Sequence, residues 1–185
     1  MMCDTITFLG PRCSYHHIAA QKFVGKMVFN NVPELVSVSS FEDVFRSVHS
    51  TNIGIIATNN TTTGNVSNHL SRVQNNYNLI SYLQLKIHHT LLIHPDTALE
   101  KITKIIIHPQ VELQCNMFLD TQPWLRQQTS STSQGAEIIT TNNLLDTATI
   151  GNLQIAEHYT LKHIDISVMN SIHNTTWFAV FSKKL

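Results

Sequence analysis

Polar side chains gather at the points where this 185-residue sequence passes from an apolar run to a helical pattern. Ser14 follows the run Thr5 to Leu9, and Asn59-Asn60-Thr61-Thr62-Thr63-Gly64 follows Ile53 to Ala57. His108-Pro109-Gln110 follows Lys104 to Ile107, and Ser130-Ser131-Thr132-Ser133 opens a further helical pattern. In an open α/β sheet, loops leaving the C-terminal ends of strands line the ligand crevice. Where such a loop runs onto a helix start, free main-chain amides and the helix dipole favour a carboxylate. The loop Asn59 to Thr63 is expected to end at Gly64, which opens a helix through about Val73, and Ser131 and Thr132 are expected to open another. Pro109 suits the first helical position, where its missing N–H costs nothing, and His108 and Gln110 beside it can aim donors at a ligand. The chemistry implied is recognition of a small anion.

Eleven histidines raise the possibility of a metal. Their spacing argues against it. His88 and His89 are adjacent on a strand pattern and so point to opposite faces, no cysteine pair accompanies them, and no His-Glu-x-x-His helix exists. Scattered surface and supporting histidines are expected, with no metal and no organic cofactor.

The elements that must position these loops alternate along the chain. Thr5 to Leu9, Leu35 to Val38 and Ile53 to Ala57 read as strands, with helices over Ser14 to Val24 and Ser40 to His49 between them, a βαβαβ unit. Ser40 and Asp43 give a capping-box-like start to the second helix. Leu79 to Ile93 reads as one long extended stretch leaving a first lobe. Lys104 to Ile107, Pro109 to Leu119, Ser131 to Ile139, Ala148 to Ile150 and Gly151 to Leu161 repeat the alternation in a second lobe. Asp165 to Met169 and Trp177 to Phe181 read as extended segments returning to the first, closing a bilobal α/β body.

Bulk properties narrow the partner. Twelve Lys and Arg balance twelve Asp and Glu, which leaves no electrostatic footprint for nucleic acid or an anionic membrane. The apolar runs are strand-sized, and residues 1–10 lack the pattern of a signal peptide. Three widely spaced cysteines, Cys3, Cys13 and Cys115, suit reduced thiols. A cytoplasmic protein with a small-molecule partner is expected.

Four motifs in order resemble the prephenate dehydratase family, and the resemblance covers nearly the whole chain. Phe8-Leu9-Gly10-Pro11-Arg12-Cys13-Ser14-Tyr15-His16-His17-Ile18-Ala19-Ala20 is similar to Y-L-G-P-x-G-T-[FY]-[ST]-x-x-A-A, with Ser14 in place of the threonine and able to cap its helix. Ile55-Ile56-Ala57-Thr58-Asn59-Asn60-Thr61-Thr62-Thr63-Gly64-Asn65-Val66 resembles V-V-P-[IV]-E-N-S-x-x-G-x-V. Ile107-His108-Pro109-Gln110-Val111-Glu112-Leu113-Gln114-Cys115 follows S-H-P-Q-A-x-x-Q-C almost letter for letter. Ser130 to Ser133, Ala148 to Asn152 and Ala156 to Leu161 resemble S-S-T-A, A-A-I-A-[SN] and A-[AE]-x-Y-G-L.

The resemblance implies a two-lobed, periplasmic-binding-protein-like (type II) α/β fold with the ligand cleft between two βα subdomains. It makes residues 1–185 a single catalytic domain, lobe 1 being about 1–85 plus 168–185 and lobe 2 about 86–167. It further implies prephenate or a close analogue as substrate and, by family analogy, a homodimer. Ser14, Asn60, Thr61, Gly64, His108, Gln110, Ser131, Thr132, Trp177 and Phe178 are the implied substrate-binding positions. The chain stops seven residues after Phe178, so the regulatory ACT domain common in the family, with its control by phenylalanine, is not expected here.

The family's terminal signature, N-x-T-R-F, reads Asn174-Thr175-Thr176-Trp177-Phe178 in this chain. By position Thr176 keeps the role of assisting departure of the ring hydroxyl. Trp177 offers one neutral donor where the family has a charged fork, and Asn59 stands where the family has glutamate. One charge of each sign is gone, which suggests paired changes. The first expectation is a lyase, nominally prephenate dehydratase of phenylalanine biosynthesis. The alternatives are a non-aromatising prephenate decarboxylase of a specialised pathway and a catalytically inactive small-molecule binding module.

Overall fold

The protein is described by a computed structural model over residues 2–184. In chain order it runs β1 (Thr5–Leu9), α1 (Tyr15–Lys26), β2 (Glu34–Val38), α2 (Phe41–Ser47), β3 (Ile53–Asn60), β4 (Gly64–Asn65), α3 (His69–Asn76) and β5 (Tyr77–Lys86). It continues with β6 (Thr90–Ile93), β7 (Lys104–Ile107), α4 (Pro109–Leu119), β8 (Leu125–Gln128), α5 (Thr132–Thr141), β9 (Thr147–Gly151), α6 (Leu153–His158), β10 (Lys162–Ile164) and β11 (Thr175–Lys183). The chain divides into two compact units: the first runs to Ile87 and resumes at His173, and the second is His88–Ile172.

In the first unit the sheet order is β2-β1-β3-β11-β5, with β4 hairpinned onto β3. β1 pairs in parallel with both β2 and β3, as short strands joined through helices must. β11 enters antiparallel between β3 and β5. Its alternation sends Phe178 and Val180 into the cluster of Ile6, Phe8, Phe23 and Ile55, and Ala179 and Phe181 into that of Val44, Phe45, Ile56 and Val73. Burial on both faces explains why β3 and β11 read as continuous apolar runs.

The second unit has the sheet order β10-β6-β9-β7-β8. Its core is Leu91, Ile93, Ile105, Ile107, Cys115, Ala148 and Ile150. α5 lies hard against this sheet at Gly135, where an added Cβ would meet Thr149 Oγ1 at 2.5 Å and Ile106 O at 3.1 Å.

The structure departs from the sequence reading at five places. The extended stretch Leu79 to Ile93 is two strands in different sheets, broken at residues 87–89; the end of β5, from Tyr82 to Lys86, alternates in burial whereas β6 is wholly buried, and that change marks the crossing. β8 carries no apolar alternation because every residue of Leu125–Gln128 is exposed at the sheet edge, so no pattern announced it. Asp165 to Met169 is not a strand returning to the first unit. Val168 is buried in the core of the second, with Ile166 and Met169 packed beside it. The helix expected over Gly151 to Leu161 is only Leu153–His158, Gly151 ending β9 instead.

Gly64 does not open a helix. Asn60 Oδ1 accepts the amides of Thr62 (2.8 Å) and Thr63 (3.1 Å), an Asx-type turn that reverses the chain. Gly64 then takes φ +77, the left-handed region that glycine tolerates, and pairs back onto Asn60 as β4. The following helix starts only at His69.

Candidate functional site

In the first unit the candidate residues converge where β3 ends and β11 begins. Thr176 lies opposite Asn60, and Trp177 opposite Asn59. Asn60 Nδ2 donates to Thr176 Oγ1 (2.8 Å) and to Asn174 Oδ1 (2.7 Å), and all three side chains are buried. With Oδ1 holding the turn, every hydrogen-bonding group of the Asn60 amide is used within the chain. Asn60 therefore fixes Thr176 instead of presenting a free amide to substrate. Because Thr176 Oγ1 accepts from Asn60, its own O–H proton must point elsewhere, which is the state a hydroxyl needs in order to donate.

Thr61 is similarly committed: its hydroxyl donates to His173 O (3.0 Å) and accepts from Thr175 N–H (2.9 Å), stitching the turn to the start of β11. Ser14 caps α1, accepting from His17 N–H (3.2 Å) and donating to Leu9 O (3.1 Å). Phe178, expected among the substrate contacts, lies in the core. At 1% exposure it is a core residue, sent inward by strand alternation. Trp177 remains partly exposed beside Asn59, whose amide donates to Asn65 Oδ1 at 2.9 Å. The two neutral departures from the family pattern are thus direct cross-strand neighbours, the arrangement in which opposite charges would pair.

The register shifts between Trp177 and Phe178, leaving Thr58 as an extra residue between Ala57, opposite Phe178, and Asn59, opposite Trp177. Thr58 Oγ1 donates to Trp177 O (3.1 Å) across this bulge. Beside it, Ala57 N–H donates to His16 Nε2 (3.2 Å), and His69 Nδ1 lies 3.0 Å from Ala57 O. Burial, with His69 nearby, pushes the His16 imidazolium down to about 3. Sequence reading treated both as scattered histidines. Only their contact with the backbone of one residue, 41 and 12 positions away, reveals them.

In the second unit two helix starts carry the donors. His108 caps α4, its Nδ1 accepting from Gln110 N–H (3.2 Å), and Pro109 takes the first turn as expected. Burial lowers the His108 pKa, so the neutral ring keeps its proton on Nε2. Gln110 is exposed. Ser131 caps α5 by accepting from Gln134 N–H (3.1 Å), and Thr132 is the first helical residue. Gln134 folds back over the helix start, its Oε1 accepting from Ser130 N–H (3.0 Å), Ser130 Oγ (2.8 Å) and the Thr129 hydroxyl, just ahead of the Ser131 cap. Gln114, on the exit side of the His-Pro-Gln motif, binds His89 Nε2 through Oε1 at 3.0 Å; burial pushes His89 down to about 4.

Two α/β units with mixed sheets, the second inserted between β5 and the returning β11, define a type II periplasmic-binding-protein-like fold. The chain belongs to the prephenate dehydratase family, whose model matches residues 6–185. It is similar to the bifunctional chorismate mutase/prephenate dehydratase of Enterobacter agglomerans, 28% identical over 97% of this chain and 47% of that protein. It is also similar to the prephenate dehydratase of Methanocaldococcus jannaschii, 26% identical over 100% of this chain and 66% of that protein. The structure of the prephenate dehydratase from Staphylococcus aureus superposes with a TM-score of 0.82 at 18% identity, over 98% of this chain and 67% of that one. The chain spans about half the length of the bifunctional relatives. Among the described residues no helix is long and apolar enough to cross a membrane.

Proposed function

We propose that this chain converts prephenate to phenylpyruvate, water and carbon dioxide, with Thr176 as the hydroxyl that assists the departing ring oxygen. Family membership supports the substrate. The observation that carries the role of Thr176 is the 2.8 Å hydrogen bond from Asn60, which occupies its oxygen from one side and directs its proton away.

In this reaction the bond from the ring to its carboxylate breaks and its electron pair enters the ring. The carbon–oxygen bond to the hydroxyl breaks on the other side, and the leaving oxygen gains a proton drawn from solvent. Aromatisation supplies the drive. Thr176 stabilises the leaving oxygen as a hydrogen-bond donor, a contribution realised only as charge develops there. Ser131 and Thr132 at the α5 start, and His108 with Gln110 at the α4 start, are the donors suited to carboxylate. Ser14 and Gly64 support their loops. Trp177, in place of an arginine, contacts substrate without a charge. The reading places the protein in aromatic amino-acid biosynthesis, as a cytoplasmic lyase.

The test is incubation of the purified chain with prephenate, following the ultraviolet absorbance of phenylpyruvate. Its appearance with equimolar carbon dioxide is expected. Carbon dioxide with a non-aromatic, hydroxyl-retaining product would replace this reading with a decarboxylase, and binding without consumption would replace it with a sensor module.

A further inference from the structure

The bulge that sets Thr176 opposite Asn60 has its own support, and it comes from two imidazoles. The polar groups of the Ala57 peptide that would enter a ladder are taken by side chains: N–H by His16 Nε2 at 3.2 Å and C=O by His69 Nδ1 at 3.0 Å. His16 also touches the opposing strand, its ring standing edge-on to Phe178 with centroids 5.1 Å apart. Ala57 and Phe178 are register partners at the step where the pairing shifts. Phe41 packs against both imidazoles, at 5.7 Å from His16 and 4.4 Å from His69.

Without the bulge, continuing the Ala57–Phe178 register would pair Trp177 with Thr58, Thr176 with Asn59 and Thr175 with Asn60. Thr176 would then lose the Asn60 amide, since a one-residue slip turns each side chain to the other face. We propose that His16 and His69 are positioning residues: together they brace the Ala57 peptide, hold the bulge at Thr58, and so keep the Thr176 hydroxyl on Asn60. The proposal rests on the reading of Thr176 given above for its catalytic consequence, and on the geometry alone for its structural one.

The tautomers follow. His16 accepts at Nε2 and so carries its proton on Nδ1; His69 donates from Nδ1 to a carbonyl. Protonating His16 would set an N–H against the Ala57 N–H and remove the brace. His16 is faced by few charges. β1 and β3 contain no ionisable residue, and β11 has only Lys183, at its far end. α2 brings Glu42, Asp43 and Arg46, α3 brings His69 and Arg72, and Glu42 is joined to Arg72 at 2.6 Å and to Arg46 at 3.8 Å. α1 itself carries Tyr15, His17, Lys22 and Lys26.

The family pattern set out above has serine or threonine at the position of His16 and proline at that of Ala57. Proline has no N–H to satisfy, and its ring carbon would take the space into which Ala57 N–H points at His16. Each substitution alone should therefore break the brace, whereas the two together should remove donor and acceptor at once.

The experiment is a double-mutant cycle on the full chain: His16→Ser, Ala57→Pro and the combination. It reads kcat and KM for prephenate, melting temperature, and hydrogen exchange of the Asn60 side-chain amide. Each single variant is expected to lose about tenfold or more in kcat with KM within about threefold, and the pair to return to within about threefold of the parent. Protection of the Asn60 amide should follow the same pattern. Additive losses, or single variants that keep both kcat and Asn60 protection, overturn the proposal. His16→Gln, whose amide oxygen can accept the same N–H, should retain kcat near the parent value where His16→Ser fails to fold; a loss as deep as that of His16→Ser also overturns it. Should the parent not consume prephenate, only the functional reading fails, and Asn60 protection and melting temperature still decide the brace.

Discussion

At the residue scale the site turns on which groups remain available once the fold has used its own. Asn60 and Thr61 spend their polar atoms on the turn and on β11, so Thr176 is left as the hydroxyl whose proton has no assigned acceptor in that network. Thr176→Val should lower kcat by about a hundredfold or more while moving KM little, because the lost interaction develops only in the transition state; steady-state kinetics with prephenate check it. Trp177 and Asn59 offer a second prediction. Since they face one another across the ladder, Trp177→Arg together with Asn59→Glu should raise kcat/KM by more than Trp177→Arg alone. The gain expected from a restored charge-assisted hydrogen bond is about tenfold or more. Measuring both variants against the parent tests whether the two neutral residues are a coupled change.

At the scale of elements, the helix starts and close approaches carry the load. Ser131→Ala removes the oxygen that caps α5 and should cost about 1 kcal/mol, read from urea midpoints, besides weakening substrate affinity. Gly135→Ala places a methyl against Thr149 Oγ1 and Ile106 O. The helix must then lift from the sheet, at about 1 to 3 kcal/mol of stability. Both helix starts are legible in the sequence, since the Ser130–Ser133 run ahead of a helical pattern and the His-Pro-Gln motif are local signals. The Asn60 turn was not read as such. A polar run between a strand and a helical pattern fits a hairpin and a helix start equally, and the choice was made by Asn60 Oδ1 closing on Thr62 and Thr63 while its Nδ2 reached β11.

At the scale of the whole molecule, two buried imidazoles tie stability to acidity. His16 and His89 titrate near 6.5 in an unfolded chain but near about 3 and about 4 when folded. Between those values the unfolded chain binds protons that the folded one refuses. Their contribution is therefore intact above about pH 6.5 and declines as pH falls, by about 1.4 kcal/mol per pH unit for each group. Melting temperatures between pH 7 and 4.5 should fall, and His16→Gln should flatten that slope. The sequence alone gives these histidines no such part, because nothing in a one-dimensional pattern separates a buried imidazole from an exposed one.

The sequence by itself determined the alternating β/α order, the helix caps at Ser14 and Ser40, the helix starts at Pro109 and after Ser131, and the family, because those depend on short-range chemistry and on motifs read in order. The tertiary structure decided the rest. It placed Phe178 in the core, took Val168 into the second unit, left β8 bare at an edge, and brought Asn60 to Thr176 across 116 residues. The physical reason is that a register shift of one residue between two strands costs the local sequence nothing. It is settled by what packs around it, and at Ala57 that is a pair of histidines from two other helices.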